Sequence, residues 1–298
     1  MNSKVIKEIT QLKNDDIHGA SWLSLHAINT LILAVSESQA VTVADFTREI
    51  QEVAEELASA RPNITPITNY VNQYLHLIIT GSQNETDLKV LRGFIEVKGK
   101  ELVKSATKAF SKAVEYACGI IGDLDTVITC SYSSTVCQAV ELAGQREARF
   151  RVIVAESKFN DKAYGEITAK QLMKRHIPVE IVADGEISVR ISKADKALVG
   201  ADSITADGYL VNGKPTLLLA QAAKNKKIPL YVVCESAKFT IRGYIAKSKE
   251  LEPGFDRIPI DLVTGIITEK GTMQPDLVIA YIEEKAEEMA HLSTLKGE

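Results

Sequence analysis

Between Ala197 and Thr216 the chain reads A-L-V-G-A-D-S-I-T-A-D-G-Y-L-V-N-G-K-P-T. Ala197–Val199 has the character of a buried strand end, and Gly200 lets the backbone turn. Asp202 then stands just past the carboxyl end of that strand, the edge of an open parallel sheet at which ligands bind. Asp207-Gly208 is a tight-turn dipeptide. Asn212 follows, and Thr216 has the residue type of an N-cap for a helix Leu217–Lys227. One loop thus offers a carboxylate, an amide and a helix N-terminus to the same space. The plainer reading is that Asp202 caps a turn and Asn212 closes a loop. Function gains weight only if other loops reach the same edge.

Other loops do. After the apolar run Asp125–Cys130 come Ser131, Tyr132, Ser133, Ser134 and Thr135. Their hydroxyl and N–H groups sit where a helix begins, a natural phosphate seat, although Ser and Thr also serve there simply as caps. Glu156-Ser157-Lys158 follow a second run, and Glu235-Ser236-Ala237-Lys238 follow another. Carboxylates, two lysines and a hydroxyl-rich helix start suit a small, phosphorylated, polyhydroxy ligand. No G-x-G-x-x-G follows the first strand, which speaks against a dinucleotide. No G-x-x-x-x-G-K-[ST] exists, which speaks against a P-loop nucleotidase.

The elements that must position these groups fall into two parts. From Met1 to about Ala117 apolar residues recur at helical spacing. Trp22, Leu23, His26, Ala27 and Thr30 share a face of a helix opening near Gly19. Val43–Ala60 carries the stripe Phe46, Ile50, Val53, Ala54 and Leu57, and Arg61-Pro62-Asn63 breaks it. Helical spacing resumes over Ile64–Ile79 and Thr86–Cys118. Trp22 and the tyrosines of this part read as core rather than as a stacking platform. Strands and helices then alternate: strand Asp125–Cys130, helix Ser133–Leu142, strand Phe150–Ala155, helix Ala163–His176, strand Pro178–Val182, helix Gly185–Lys193, strand Ala197–Val199, helix Leu217–Lys227 and strand Leu230–Cys234. A terminal helix is expected over Leu277–Met289. Such alternation implies parallel βαβ units. The expected fold class is α/β: an N-terminal helical domain, residues 1–118, then a Rossmann-like, doubly wound parallel sheet domain, residues 119–298.

Bulk properties narrow the classes. The chain has 298 residues, 45% hydrophobic and 25% charged, an ordinary globular composition. Its net charge of −4 gives no global basic footprint for nucleic acid. Cys118, Cys130, Cys137 and Cys234 form no C-x-x-C pair, and no His/Cys set has zinc spacing. A reduced cytoplasmic protein with neither metal nor cofactor is the expectation. No apolar run has membrane-spanning length, and Met1–Lys13 lacks the apolar core of a signal peptide.

The segments V-G-A-D-S-I-T-A-D-G (Val199–Gly208), V-V-C-E-S-A-K-F (Val232–Phe239), Tyr132-Ser133-Ser134-Thr135-Val136 and the tail Ile258–Gly271 together resemble a known family. It holds the alpha, beta and delta regulatory subunits of translation initiation factor 2B, the ribose-1,5-bisphosphate isomerases and the methylthioribose-1-phosphate isomerases. In the helical part His18-Gly19-Ala20 matches the family's Arg-Gly-Ala loop and Arg61-Pro62 its Arg-Pro loop. The resemblance covers nearly the whole chain.

It implies a ligand crevice between the domains, with Gly19, Ala20, Arg61, Ser131, Ser133, Asn212 and Lys238 binding a phosphorylated sugar or nucleoside monophosphate. The isomerases pair a Cys after the first strand with the Asp of Gly-Ala-Asp. Asp202 matches the Asp. In register with Tyr132-Ser133 the family Cys falls on Ser131, and Cys130 lies one residue earlier. Successive strand side chains face opposite ways, so Cys130 is expected to point away from Asp202, and serine is too weak an acid to replace the thiol without an activating base. His18 in place of the arginine loses a permanent bidentate donor. Glu156-Ser157-Lys158-Phe159 and Asn212-Gly213-Lys214-Pro215-Thr216 also depart from the isomerase runs. This pattern resembles the regulatory subunits, the Tyr-Ser-Ser loop most of all the delta type. A factor-2B-like protein that binds its ligand without efficient turnover is the first reading. An aldose–ketose isomerase of a phosphorylated pentose, using Asp202 with Cys130, is the alternative. Initiation factor 2 is a candidate partner. The tail Phe255–Met273 carries the dense apolar set Ile258, Ile260, Leu262, Val263, Ile266 and Ile267. Exposed, it would exceed what a monomer tolerates, so a homodimer or higher oligomer through the C-terminal domain is expected to bury it; the alternative packs it inside its own subunit.

Overall fold

Thr42 and the Arg61-Pro62 step mark the ends of an 18-residue helix whose bounds are those that its apolar stripe predicts. The Thr42 hydroxyl accepts from the Asp45 N–H at 3.1 Å, satisfying one orphan donor of the first turn. Phe46, Ile50, Val53, Ala54 and Leu57 are all buried, each large one worth roughly 1.5–3 kcal/mol over exposure. This is α3 (Val43–Ala60) of the helical unit, which also holds α1 (Ser3–Asn14), α2 (Ala20–Glu37), α4 (Thr65–Asn84) and the start of α5 (Leu88–Cys118). The structure, a computed structural model, describes the backbone of residues 1–146, 148–240 and 251–294, with side chains through residue 287. The chain divides into two compact units, Met1–Lys108 and a second that begins at Ala109.

The second unit alternates as expected: β1 (Thr126–Thr129), α6 (Ser134–Gln145), β2 (Arg151–Ala155), the small hairpin β3 (Lys158–Phe159) and β4 (Lys162–Ala163), α7 (Tyr164–Met173), β5 (Val179–Val182), α8 (Ile187–Arg190) and β6 (Lys196–Val199). Then come β7 (Ser203–Thr205), β8 (Tyr209–Gly213), α9 (Thr216–Lys226), β9 (Leu230–Val233), β10 (Phe239–Thr240), β11 (Phe255–Pro259), β12 (Gly265–Thr268), β13 (Gly271–Met273) and α10 (Pro275–Thr294). The main sheet runs β13-β12-β9-β6-β1-β2-β5, parallel except for β13. Strand order grows in one direction from β1 to β5 and in the other from β6 to β12, so it reverses between β1 and β6.

Period-2 alternation covers both faces. Ile128, Ile153, Ala197, Val199, Val232 and Ile266 pack with Ile187 of α8, Leu219 of α9 and Val278 of α10. Val127, Val152, Val154, Leu198, Val233 and Ile267 pack with Ala117 of α5, Val140 of α6 and Leu172 of α7.

Four features differ from expectation. A second sheet, β10-β7-β8-β11, stands where only loops were expected. The Asp207-Gly208 turn joins β7 to β8, with Gly208 at φ +82° and its N–H donating to Thr205 O at 3.0 Å. Pro215, not Thr216, caps α9; the Thr216 hydroxyl instead donates to Gly213 O at 2.6 Å. Helix α8 is a single short helix flanked by 3-10 turns rather than one helix Gly185–Lys193. The apolar tail is buried within its own chain: Ile258, Ile266 and Ile267 have no exposure and Val263 little, while Ile260 and Leu262 pack on the same core. Strands β11 and β12 thus place most of these side chains inside the chain, with Ile260 and Leu262 only partly buried.

Candidate functional site

Where strand order reverses, the loops after two adjacent strands diverge and leave a crevice at the carboxyl edge. Here those loops follow β1 and β6. The first carries Cys130, Ser131, Tyr132 and Ser133; the second carries Gly200, Ala201 and Asp202. Ser133 caps α6, its Oγ accepting from Val136 N–H at 3.3 Å. It also lies against Gly200, where an added Cβ would fall 2.5 Å from Ser133 Oγ. Ser131 stands in the same relation to Gly213, the last residue of β8. Both glycines are close approaches that admit no side chain.

Three loops of this edge are tied together through Ser131, which adopts φ +61°. Its N–H donates to Ser157 Oγ at 2.6 Å and its carbonyl accepts from Thr168 Oγ1 at 2.9 Å. Ser157 is also left-handed, at φ +55°. Its N–H donates to Asp184 Oδ1 at 2.7 Å, and the Lys158 N–H donates to Asp184 Oδ2 at 3.0 Å. Left-handed serines cost on the order of 1 kcal/mol each, which charge-assisted bonds to Asp184 offset. The sequence places Ser157 at this edge by its loop but shows neither its role nor Asp184 and Thr168, because all three act through backbone groups of distant loops; the one available signal is a carboxylate following β5 at the shared edge.

The Cys130 thiol is fully buried, with Sγ 3.3 Å from Thr216 Oγ1. Thr216 donates its only proton to Gly213 O and accepts from Asn212 Nδ2 at 2.9 Å. A hydroxyl has one donor and two acceptor sites, so the remaining lone pair receives the Cys130 S–H. Burial pushes this thiol up to about 12, against the lowering effect of the Thr216 bond. Cys130 is a neutral hydrogen-bond donor here.

Lys238 and Glu235 form a different kind of pair. Both are buried, with Lys238 Nζ 3.4 Å from Glu235 Oε2. Burial works to lower the Lys238 ammonium, but Glu235 above all, with Cys234 and Asp202 beside it, holds it above the ordinary lysine value. Among the described residues Glu235 Oε2 has no hydrogen-bond partner, and neither does the buried Thr135 hydroxyl in the first turn of α6. Asp202 is half-buried, and its N–H donates to Val211 O at 2.9 Å. Lys158 is turned outward, paired with Glu156 at 3.0 Å.

Gly19, Ala20 and Arg61 belong to the helical unit. Gly19 is the N-cap of α2 and has no side chain to offer its free N–H groups. Ala20 is buried. Arg61 follows α3 and donates to Asp15 O. His18 Nδ1 meets Asp15 Oδ2 at 2.7 Å. Burial works to raise the Asp15 carboxyl, but hydrogen bonds from His18 and Ile17 together hold it below the usual range. Trp22 departs from the expected pure core role: it is partly buried and stacks on His18 at 3.8 Å and on His26 at 4.9 Å.

Among the described residues no group of three or more His, Cys, Asp or Glu could hold a metal ion, and no helix is long and apolar enough to cross a membrane.

The pattern that defines the initiation factor 2 subunit family matches residues 16–250. The chain belongs to this family. It is 28% identical to a ribose 1,5-bisphosphate isomerase of Thermococcus kodakarensis, over 94% of this chain and 95% of that protein. It is 30% identical to a putative translation initiation factor eIF-2B subunit 2-like protein of Pyrococcus furiosus, over 91% of this chain and 97% of that one. The crystal structure of a translation initiation factor eIF-2B of Pyrococcus horikoshii superposes with a TM-score of 0.79 at 28% identity, covering 94% of this chain and all of that one. The helical region followed by a mostly parallel sheet is the fold of this family. Its members carry both kinds of name, so the choice between them falls to the site.

Proposed function

We propose that this chain is a factor-2B-like protein of the regulatory-subunit type that binds a sugar phosphate or a nucleoside monophosphate at the carboxyl edge of its sheet without efficient turnover. The observation that carries this reading is the Cys130–Thr216–Asn212 chain, in which the thiol is spent as a buried donor. A thiol so used is protonated at neutral pH and does not exchange protons readily with a ligand. Ser131 and Ser133, with the α6 N-terminus, supply donors for phosphate, and Lys238 supplies fixed positive charge. Asn212, bonded to Thr216, presents its amide oxygen to ligand hydroxyls. Gly19, Ala20 and Arg61 are proposed as further contacts from the helical unit, tested separately by Arg61→Gln.

A second reading is an aldose–ketose isomerase of a phosphorylated pentose. The presence of Asp202 and a thiol at the switch point favours it, with the 28% identity to a ribose 1,5-bisphosphate isomerase. Asp202 and Cys130 would then share the movement of a proton between C2 and C1. Incubation with ribose 1,5-bisphosphate separates the two readings. The first expects a raised melting temperature and no ketose by NMR. Ketose formation abolished by Asp202→Asn would establish the second, and equal melting temperatures with and without millimolar ligand would remove both.

Residues 1–118 and 119–298 are proposed as the separable domains; limited proteolysis tests that boundary. A cytoplasmic homodimer or higher oligomer formed through the sheet domain belongs to the same reading. A clean monomer at micromolar concentration in sedimentation would refute it. Initiation factor 2 remains a proposed partner, to be tested by co-sedimentation.

A further inference from the structure

The amino edge of the main sheet, opposite the site above, holds a cleft of about 480 Å³ between the starts of β1, β2 and β5 and the ends of α6 and α7. Its volume is in the range of small-molecule sites. Arg149, Arg151, Arg175 and His176 line it together with Leu124, Ile177 and Pro178. It therefore has a cationic side and an apolar side.

The arginines are held by their inner atoms and leave donors over. Arg151 Nε donates to Thr126 Oγ1 at 2.8 Å, and Arg175 Nε faces Glu141 Oε2 at 3.4 Å. Among the described residues the Nη atoms of both have no protein partner. Arg149 is paired with Asp123 at 3.0 Å through one Nη. The acid in the cleft wall, Asp125, is already neutralised by Lys196 at 2.6 Å. Guanidinium forks with free ends match the geometry of phosphate oxygens.

The apolar side is the unusual part. Leu124 is 74% exposed and sits at φ +65°, a conformation that is an outlier for a bulky residue. Its N–H is tied to Arg149 O at 2.5 Å, which holds the backbone of this turn to that of Arg149, and the side chain lines the same cleft. His176, on the facing rim, is also left-handed, at φ +60°. His176 is there the ordinary left-handed residue of a helix C-cap, its N–H donating to Met173 O at 2.9 Å and that of Ile177 to Leu172 O at 3.3 Å; the strained residue of the cleft is Leu124. A leucine held out of the core at a conformational cost, next to unspent guanidinium donors, presents an apolar contact to whatever the arginines hold.

We propose that this cleft is a second ligand site, separate from the carboxyl edge, for a small organic phosphate with an apolar body. The forks of Arg151 and Arg175 take the phosphoryl oxygens. Leu124, Ile177 and Pro178 take the body.

Phenyl phosphate is the probe, measured by isothermal titration calorimetry against the full chain. Binding is expected, with inorganic phosphate at least tenfold weaker because it lacks the ring. The double variant Arg151→Gln/Arg175→Gln is expected to lose at least tenfold in phenyl phosphate affinity; both side chains are at the surface, and an unchanged melting temperature confirms folding. Leu124→Gly is expected to raise the melting temperature by relieving the backbone and yet to weaken phenyl phosphate severalfold while leaving inorganic phosphate unchanged. A merely structural leucine would give the first effect without the second. In a Ser131→Trp background, where the carboxyl-edge space is filled, binding is expected to persist. No binding by the parent chain, undiminished affinity in the double variant, or loss of binding in Ser131→Trp would each overturn the proposal.

Discussion

The loops after β1 and β9 leave the same sheet edge, yet they bury polarity in opposite ways. The β1 loop is stitched by neutral donors and acceptors: Cys130 to Thr216, Asn212 to Thr216, Ser131 to Ser157 and Thr168. The β9 loop buries a charge pair, Lys238 with Glu235. A neutral network loses about one unmet bond when a member is removed. A buried ion pair loses its only compensation. The first kind of loop sets shape, and the second sets the field in which an anionic ligand would sit.

The largest test breaks the charged loop. Lys238→Met leaves Glu235 buried without its cation and is expected to cost about 3–5 kcal/mol in urea unfolding. Adding Glu235→Leu removes the stranded carboxylate and is expected to restore most of that loss. A single variant costing no more than a surface substitution would show that the pair is not desolvated as described.

Next comes the hub of the neutral loop. Thr216→Val keeps the shape but strands the Asn212 amide and the Cys130 thiol. A cost of about 2–3 kcal/mol is expected, since each unmet buried group is worth about 1–3 kcal/mol. Asp184→Asn is smaller, about 1–2 kcal/mol, because the amide oxygen still accepts one of the two N–H groups while the charge assistance is lost. If Ser157 and Asp184 hold Ser131 in place, Asp184→Asn also weakens phosphate ligands severalfold, with Lys238 untouched.

Much of this architecture is legible in the sequence. Helix α3 was readable to the residue because a Thr cap, a five-position stripe and a following proline all agree on it. Strands β1, β2, β5, β6 and β9 of the main sheet are readable as short runs bounded by polar loops, whereas β12 and β13, which complete it, are not among the expected strands. Strands β7, β8 and β11 are not readable either: Ser203–Thr205 is only three residues long, and β11 pairs with β8 across more than forty positions of sequence. The apolar tail is readable as a segment that must be buried, but hydrophobicity does not say what buries it; β11 and β12 place much of it inside its own chain. At the site, Asp202 and Lys238 could be named from residue type and place. Ser157 could be placed at the edge but not given its task, and Thr168 and Asp184 could not be named, because their work is done on backbone atoms of other loops. Thr216 was noticed as a cap; its real task, joining Cys130 to Asn212, needs three segments at once.

The smallest effect uses pH to separate the two loops. The Cys130 thiol is pushed up to about 12 by burial, as is Cys137, and Cys234 is raised further. In the unfolded chain a thiol titrates near about 8.5. A group raised on folding contributes stability that is complete below its unfolded value and is lost as pH climbs toward its folded one. These thiols therefore begin to erode stability above about pH 8.5, whereas Lys238, raised from an unfolded value near about 10.4, gives up nothing until the pH passes that point. Between about pH 9 and 10 the alkaline loss comes first from the thiols, and the buried Tyr74 and the half-buried Tyr132, also raised by burial from an unfolded value near about 10, join toward the upper end. Cys130→Ala is expected to cost only about 1 kcal/mol at pH 7, by removing a small buried group. It is also expected to flatten the stability curve in that window by about 1.4 kcal/mol per pH unit, one proton's worth. An unaltered slope in Cys130→Ala would mean that the thiol reaches solvent in the folded protein, and the case for a spent donor beside Asn212 would fall with it.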